Sequence, residues 1–290
     1  MQRLKSSRLM LILSMAIFGT LAPFVRNISV SSGELALYRA ILAALLILVV
    51  FALTKQHINF NAIRKELPLL LLSGVAMGFN WILLFEAYKY TTVAVATLSY
   101  YFAPVIVTIV CPFLFREKLT AKQILCFVFS TAGLALVIGV TDLGKGSSDL
   151  TGIAFGLGAA VLYATVILLN KFIKGVAGMQ RTFLQFLAAI VVLIPYVACT
   201  SGVTLGGMDG KGWICLLVVG LIHTGLAYIL YFSALKDMPG QEAAILSYVD
   251  PLVAVIISVT ILGEAMTVTQ VIGGVLILGF TLWNEINPKH

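Results

Sequence analysis

The amino-acid sequence predicts an all-α polytopic membrane protein, with ten transmembrane helices arranged as two inverted five-helix repeats. Three observations predict it. The first is composition: 60% of the residues are apolar and only 11% charged, with a mean hydropathy of +1.06. A soluble domain carries roughly 25% charged residues, and one globule of 290 residues has no interior large enough to hide so much apolar surface. The second is a series of ten apolar runs, each close to the ~20 residues that cross a hydrocarbon core. The third is that the chain resembles itself at an offset of about 147 positions.

In order, the runs are Leu9–Val25, Leu35–Leu53, Leu67–Tyr88, Val93–Phe115, Ile124–Val140, Gly152–Phe172, Phe183–Cys199, Trp213–Leu235, Ala243–Leu262 and Val268–Trp283. They are numbered below as spans one to ten. Span one does not read as a cleavable signal, because no small-residue cleavage site follows it. Trp213 and Trp283 fall at span ends, where indole rings favour the interface.

The internal repeat rests on polar and special residues as well as on leucine. At the offset of about 147, Gly78 meets Gly225, Tyr101 meets Tyr248, Pro104 meets Pro251, Glu117 meets Glu264 and Gln123 meets Gln270. At about 145, Thr20 meets Thr165 and Arg26 meets Lys171. The two units run from 1 to 145 and from 146 to 290. Five spans is an odd number, so the second copy enters the membrane from the opposite side, and the two are related by a two-fold axis in the membrane plane.

Positive charge sets the orientation. With the amino terminus inside, Arg3, Lys5, Arg8, Lys55, Arg64, Lys65, Arg116, Lys118, Lys122, Lys171, Lys174, Arg181, Lys236 and Lys289 face the cytoplasm. Only Arg26, Lys89, Lys145 and Lys211 face outward. Both termini are therefore expected to be cytoplasmic, in a plasma-membrane protein. The net charge of +7 reports topology and contact with anionic lipid; scattered over short loops, it makes no nucleic-acid footprint. Cys199 and Cys215 both fall near the outer face, which leaves a disulfide open to them. The simpler reading of all four cysteines is small apolar side chains.

The stretch "SYVDPLVAVIISVTILGEAMTVTQVIGGVLILG" and its first-half partner "APVIVTIVCPFLFREKLTAKQILCFVFSTAGLAL" resemble the EamA-like branch of the drug/metabolite transporter superfamily. "LYRAILAA" in span two is similar to that family as well. The resemblance covers nearly the whole chain. It implies ten helices, a central cavity made by spans one to four and six to nine, and export of small metabolites, often amino acids.

Other chemistries find little support. Gly139 to Lys145 mimics a phosphate-binding loop, but Gly146 stands where Ser or Thr must hold magnesium. No extramembrane segment has room for an ATP-hydrolysing domain. An intramembrane enzyme would need clustered carboxylates or a His-Glu-x-x-His run; His57, His223 and His290 are far apart. No metal or cofactor is expected.

The candidate site is built from polar and aromatic groups at membrane depth. Asp250 falls near the midplane, where a charged Asp costs about 2.5–3.5 kcal/mol on insertion scales. Pro251 follows it, and a proline breaks or kinks a helix. Tyr100, Tyr101 and Tyr248 belong to the same repeated stretch. Phe18, Trp81, Tyr163, Tyr228 and Tyr231 complete an aromatic set; Phe18 pairs with Tyr163 and Trp81 with Tyr228 across the repeat. Each ring alone reads equally well as packing or lipid contact, but the set favours a substrate cavity. Arg39 and Glu86, at similar depth and of opposite sign, read as an ion pair or gate; snorkelling of Arg39 to the interface is the alternative. His223 reads as a proton relay to Asp250 or as a hydrogen-bonded core histidine. Glu242 starts span nine, where the positive helix end favours it.

These residues point to a secondary transporter that exports a small zwitterionic metabolite such as an amino acid, with protons as a candidate coupling ion. Asp250 would take the amine, and the rings the remainder. The chief alternative is a transporter of organic cations, since aromatic faces and a carboxylate also suit a quaternary ammonium.

Overall fold

A computed structural model describes residues 2–55, 60–115, 120–138, 148–176, 178–235, 243 and 246–286. Glu117, Lys145, Lys236, Glu242, His57, His290 and the loop from 139 to 146 lie outside them. Every regular element among the described residues is a helix. Among the described residues, seven helices are long and apolar enough to span a membrane, and three shorter apolar ones, Ala121–Val137, Val249–Thr260 and Val268–Asn284, fall where spans five, nine and ten are expected. Helices are what lipid demands, because the hydrocarbon offers backbone groups no hydrogen-bonding partner.

Local chemistry sets where the helices begin. Ser31 caps Ser32–Thr54, with Glu34 reaching back to the cap, and Thr267 with Gln270 does the same for Val268–Glu285. Two capping boxes thus start spans two and ten. Thr92 caps Val93–Tyr100, and Asp209 caps Gly210–Leu217.

Four spans depart from a regular α-helix; span one is interrupted by a turn at Thr20, between Gln2–Gly19 and Leu21–Val25. Span four breaks after Val93–Tyr100 and restarts as Ala103–Phe115; span nine turns at Ser247 and Tyr248 before Val249–Thr260. The breaks occupy equivalent repeat positions. Pro104 and Pro251 sit in the first turns of the restarted helices, where a missing N–H costs least. Span eight widens into a π-helix over Val218–Leu226. There the Thr224 hydroxyl donates to the carbonyl of Val219, five residues back, at 2.8 Å. Nothing in the apolar pattern of span eight signals this widening.

The packing shows the two-fold. Span one packs on span eight as span six packs on span three; span one meets span nine as span six meets span four; span two meets span eight as span seven meets span three. Exchanging the halves leaves this contact scheme unchanged. Mates also pack antiparallel on each other: Ala94 lies by Ser258 and Tyr101 by Asp250 in spans four and nine. Ser31 lies by Ser201 and Phe51 by Phe183 in spans two and seven. Lys122 lies by Asn284 and Phe129 by Phe280 in spans five and ten. Antiparallel mates require an axis perpendicular to the helices, which is the inverted repeat. Spans five and ten approach closely through glycine: a Cβ on Gly133 would lie 2.7 Å from the Gly273 carbonyl oxygen, and one on Gly273 would lie 2.5 Å from that of Gly133. Small residues of this kind let membrane helices pack backbone to backbone. All four cysteines are free thiols.

Candidate functional site

Spans one to four and six to nine enclose a central cavity of about 480 Å³. Spans five and ten contribute nothing to its described lining and pack against each other at the side. The helix breaks bring the site's polar chemistry together. Tyr101, at the end of the first segment of span four, donates its hydroxyl to Asp250 Oδ2 at 2.6 Å. Asp250 sits in the first turn of the restarted span nine, where the positive helix end favours a carboxylate. It is the single carboxylate among the described residues lining the cavity.

Rings form the walls. Phe18, Trp81, Tyr100, Tyr101, Tyr163, Tyr228, Tyr231 and Tyr248 all line this one space with Asp250. Tyr100 stacks on Tyr163 with centroids 5.2 Å apart, and Tyr101 stands edge-on to Tyr100 at 5.8 Å. The repeat mates Trp81 and Tyr228 both touch Phe186, at 5.4 Å each, and Phe18 meets Tyr228 at 5.2 Å. Tyr163 keeps 38% of its surface accessible, which fits a wall residue better than a core one.

The expected Arg39–Glu86 pair is not formed. Glu86 binds Lys89, three residues along the same helix, at 2.9 Å. Arg39 instead turns into the cavity wall, 3% exposed, donating from Nε to Thr224 Oγ1 at 3.0 Å, with its guanidinium carbon 4.4 Å from the Trp81 ring centroid. The reason is azimuth, since five residues separate Trp81 from Glu86 and so turn the latter roughly 140° away around the helix. Arg39 does not snorkel outward either. His223 is not among the residues lining the cavity. It is 2% exposed, with Nε2 3.1 Å from Thr20 Oγ1 and Nδ1 3.3 Å from the Val218 carbonyl. It shares no hydrogen-bond partner with Asp250 among the described residues, and of its two readings the geometry fits the hydrogen-bonded core histidine.

Other polar lining residues come from spans six and seven. Gln185 donates to Asn170 Oδ1 at 2.7 Å and to Ser73 at 2.8 Å, and Arg181 donates to the Asn170 carbonyl at 3.1 Å. Arg181 and Gln185 are four residues apart on one helix face, and that spacing is the signal that marks them. Counting Arg181 only as a loop charge hides it.

At the far ends of spans one and three, Arg26 pairs with Glu264 and also donates to the carbonyls of Tyr88 and Thr91, at 3.3 and 3.1 Å. Glu264 in turn accepts from the backbone N–H of Val93 at 2.8 Å and from Ser258. This cluster ties together the ends of spans one, three, four and nine.

Comparison with known proteins agrees with this architecture. An uncharacterized transporter, YxxF, of Bacillus subtilis is 29% identical over 92% of this chain and 85% of its own. An uncharacterized transporter of Archaeoglobus fulgidus is 29% identical over 95% of each chain. The threonine/homoserine exporter RhtA of Salmonella typhimurium is 26% identical over 145 residues, 49% of this chain and 48% of its own. A crystal structure 17% identical in sequence shares the fold, with a TM-score of 0.67 over 95% of this chain and 96% of that one. The family model described as "EamA-like transporter family" matches twice, at residues 5–139 and 150–284. With both halves of the sequence matched, the chain belongs to the EamA-like transporter family.

Proposed function

We propose that this transporter is a secondary carrier that moves a small zwitterionic metabolite, an amino acid or close relative, across the plasma membrane by alternating access. The observation that carries the reading is the Tyr101–Asp250 hydrogen bond at the junction of two broken, symmetry-related helices inside an aromatic cavity. A discontinuous helix beside a polar group at mid-depth is how inverted-repeat carriers build a substrate site. Asp250 would receive the ammonium group. The rings of Tyr100, Tyr101, Tyr163 and Tyr228 would accept the remainder. The repeat units are proposed as 1–145 and 146–290, which the paired family matches support. Both termini are proposed to be cytoplasmic, from the distribution of Lys and Arg. Export is the proposed direction, supported by the partial likeness to the threonine/homoserine exporter RhtA.

A carboxylate of this kind gives a simple route to proton coupling. Protonated, it cannot pair with an ammonium, so proton and substrate compete for Asp250 and an antiport cycle follows. The second reading, an organic-cation carrier, draws on the rings around Asp250.

The experiment is counterflow in proteoliposomes loaded in turn with each proteinogenic amino acid and with choline. Exchange of one or more amino acids, unaffected by excess choline, supports the reading. Exchange of choline alone, or of neither class, overturns it.

A further inference from the structure

Taking the zwitterion reading as its basis, we infer that Arg39 is the carboxylate-binding pole of the site, opposite in sign to Asp250, and therefore the residue that separates zwitterions from simple amines. Arg39 lines the same cavity as Asp250, from span two. Its guanidinium carries five N–H donors in a planar fork. Among the described residues one donor is used, Nε to Thr224. The four on the two Nη groups have no acceptor among the described residues, and no described carboxylate pairs with them.

A guanidinium that is 3% exposed and unpaired is costly in a membrane protein's interior. Structural arginines at such depth are normally held by a carboxylate or by several carbonyls. This one is held by faces instead. Trp81 lies 4.4 Å and Phe85 5.2 Å from its central carbon, and Thr224 fixes one edge. Stacking of this kind fixes the plane of the fork and leaves its remaining edge for a planar anion, the geometry that suits a bidentate carboxylate. The support is itself specific: Thr224 lies in the widened π-helical stretch, its hydroxyl oriented by donating to Val219.

The two charges share neighbours. Tyr88 and Tyr228 line the cavity together with both Arg39 and Asp250. A zwitterion laid across them neutralises both ends. A simple amine would satisfy Asp250 and leave Arg39 uncompensated. A simple carboxylate would do the reverse. Rejection by an unsatisfied buried group is stronger than rejection by size.

The test uses purified full-length protein and two ligand series. L-threonine is compared with 1-amino-2-propanol and 3-hydroxybutyrate, and L-phenylalanine with phenethylamine and 3-phenylpropanoate. Each set holds one zwitterion, its amine-only form and its carboxylate-only form. Affinities are read from ligand-induced shifts in melting temperature for wild type, R39Q, R39K and D250N. The expected result is that R39Q weakens the zwitterion tenfold or more, to the level of its amine, and leaves the amine itself unchanged. D250N should weaken zwitterion and amine together, and R39K should fall between wild type and R39Q. R39K also covers the case in which R39Q does not fold. Zwitterion binding that survives R39Q but falls with D250N overturns the Arg39 assignment and leaves the zwitterion reading standing. Equal weakening of zwitterion and amine by R39Q means that Arg39 only shapes the wall, and overturns it too. A wild type that binds carboxylates without zwitterions sinks the reading but upholds the anion pole; binding of amines alone sinks both, as does binding of none of the six.

Discussion

Tyr101 and Asp250 meet at 2.6 Å, and each stands at a break in a span that is the repeat mate of the other's. Their mates are not equivalent: Tyr248 answers Tyr101, but Ala103 answers Asp250. The scaffold is two-fold and its charge is not. That asymmetry is what a substrate with one amine would require, and it places the decisive substitution at Asp250.

Asp250→Asn keeps the shape of the side chain and removes its charge. Transport of an amine-bearing substrate should fall at least a hundredfold in initial rate, while the melting temperature moves by only a few degrees, since a neutral amide is less costly at this depth. In the wild type, lowering the pH protonates the carboxylate and should weaken apparent substrate affinity; in the Asn variant affinity should be weak and flat with pH. Tyr101→Phe removes one hydrogen bond, about 1 kcal/mol, and should cost roughly five- to tenfold. Wild-type rate and affinity in the Asn variant across pH 5 to about 8 would reduce Asp250 to a structural role.

Gly19 tests the support behind that carboxylate. A Cβ there would fall 2.6 Å from the Asp250 carbonyl oxygen and 2.6 Å from Val253 Cβ, so Gly19→Ala must push spans one and nine apart. Overpacking of this sort costs about 1–3 kcal/mol, and the displacement lands on the substrate site. Transport should drop more than tenfold. Gly279, with nothing within 4 Å of its added Cβ, is the control, and Gly279→Ala should be silent. Equal behaviour of the two variants would show that the close approach of spans one and nine is not needed.

The Arg26–Glu264 pair ties four span ends on one side of the cavity. In the proposed topology that side is extracellular. Arg26→Gln or Glu264→Gln should each loosen it, making a cysteine placed at Thr97 more reactive, several-fold, to a membrane-impermeant thiol reagent. The double variant should add little to either single change, with a coupling of about 1 kcal/mol in stability for a partly exposed pair. Simple additivity would mean that the two charges act apart.

How far the sequence could be read follows from which forces leave a linear trace. Lipid sets the length of every span, so ten apolar runs were visible, and duplication preserved Tyr, Pro and Gln in register. The break in span nine was visible too, because Pro251 follows Asp250. Azimuth leaves no such trace across two different helices. Arg39 and Glu86 share a depth, yet Trp81 and Thr224 take the arginine and Lys89 the glutamate. The π-helix at Val218–Leu226 was hidden for a related reason: one extra residue per turn changes the facing of Thr224 without changing hydropathy. Arg181 and Gln185 were overlooked because a charge near a span end reads first as topology.

Topology itself is tested by accessibility. Cysteines replacing Lys145 and Lys211, both expected outside, should react with an impermeant reagent on intact cells. One replacing Lys174 should react only after the membrane is opened. The loop holding Lys145 lies outside the described residues, so Lys211, beside the capped start of span eight at Asp209, is the better-placed probe. The opposite labelling pattern would invert the molecule and move the Arg26–Glu264 tie to the cytoplasmic side.

His223 is the last residue whose two readings the geometry separates. A relay needs a ring that can both take a proton and hand it on. With Nδ1–H donated to the Val218 carbonyl, a neutral ring leaves Nε2 to accept from the Thr20 hydroxyl, whose single proton the Ile17 carbonyl also draws at 2.9 Å. The ring has a partner at each nitrogen, packs against Phe24 at 4.9 Å, and holds span one against the widened part of span eight. His223→Gln, which can still donate and accept, should therefore lower stability by about 1–2 kcal/mol through poorer packing and imperfect hydrogen bonds, yet keep the wild-type dependence of transport on pH. His223→Leu, which leaves the Val218 carbonyl and Thr20 without their partner, should destabilise more. A pH profile flattened by His223→Gln in the manner expected of Asp250→Asn would restore the relay, and would require a path from His223 to the cavity that opens in another conformation.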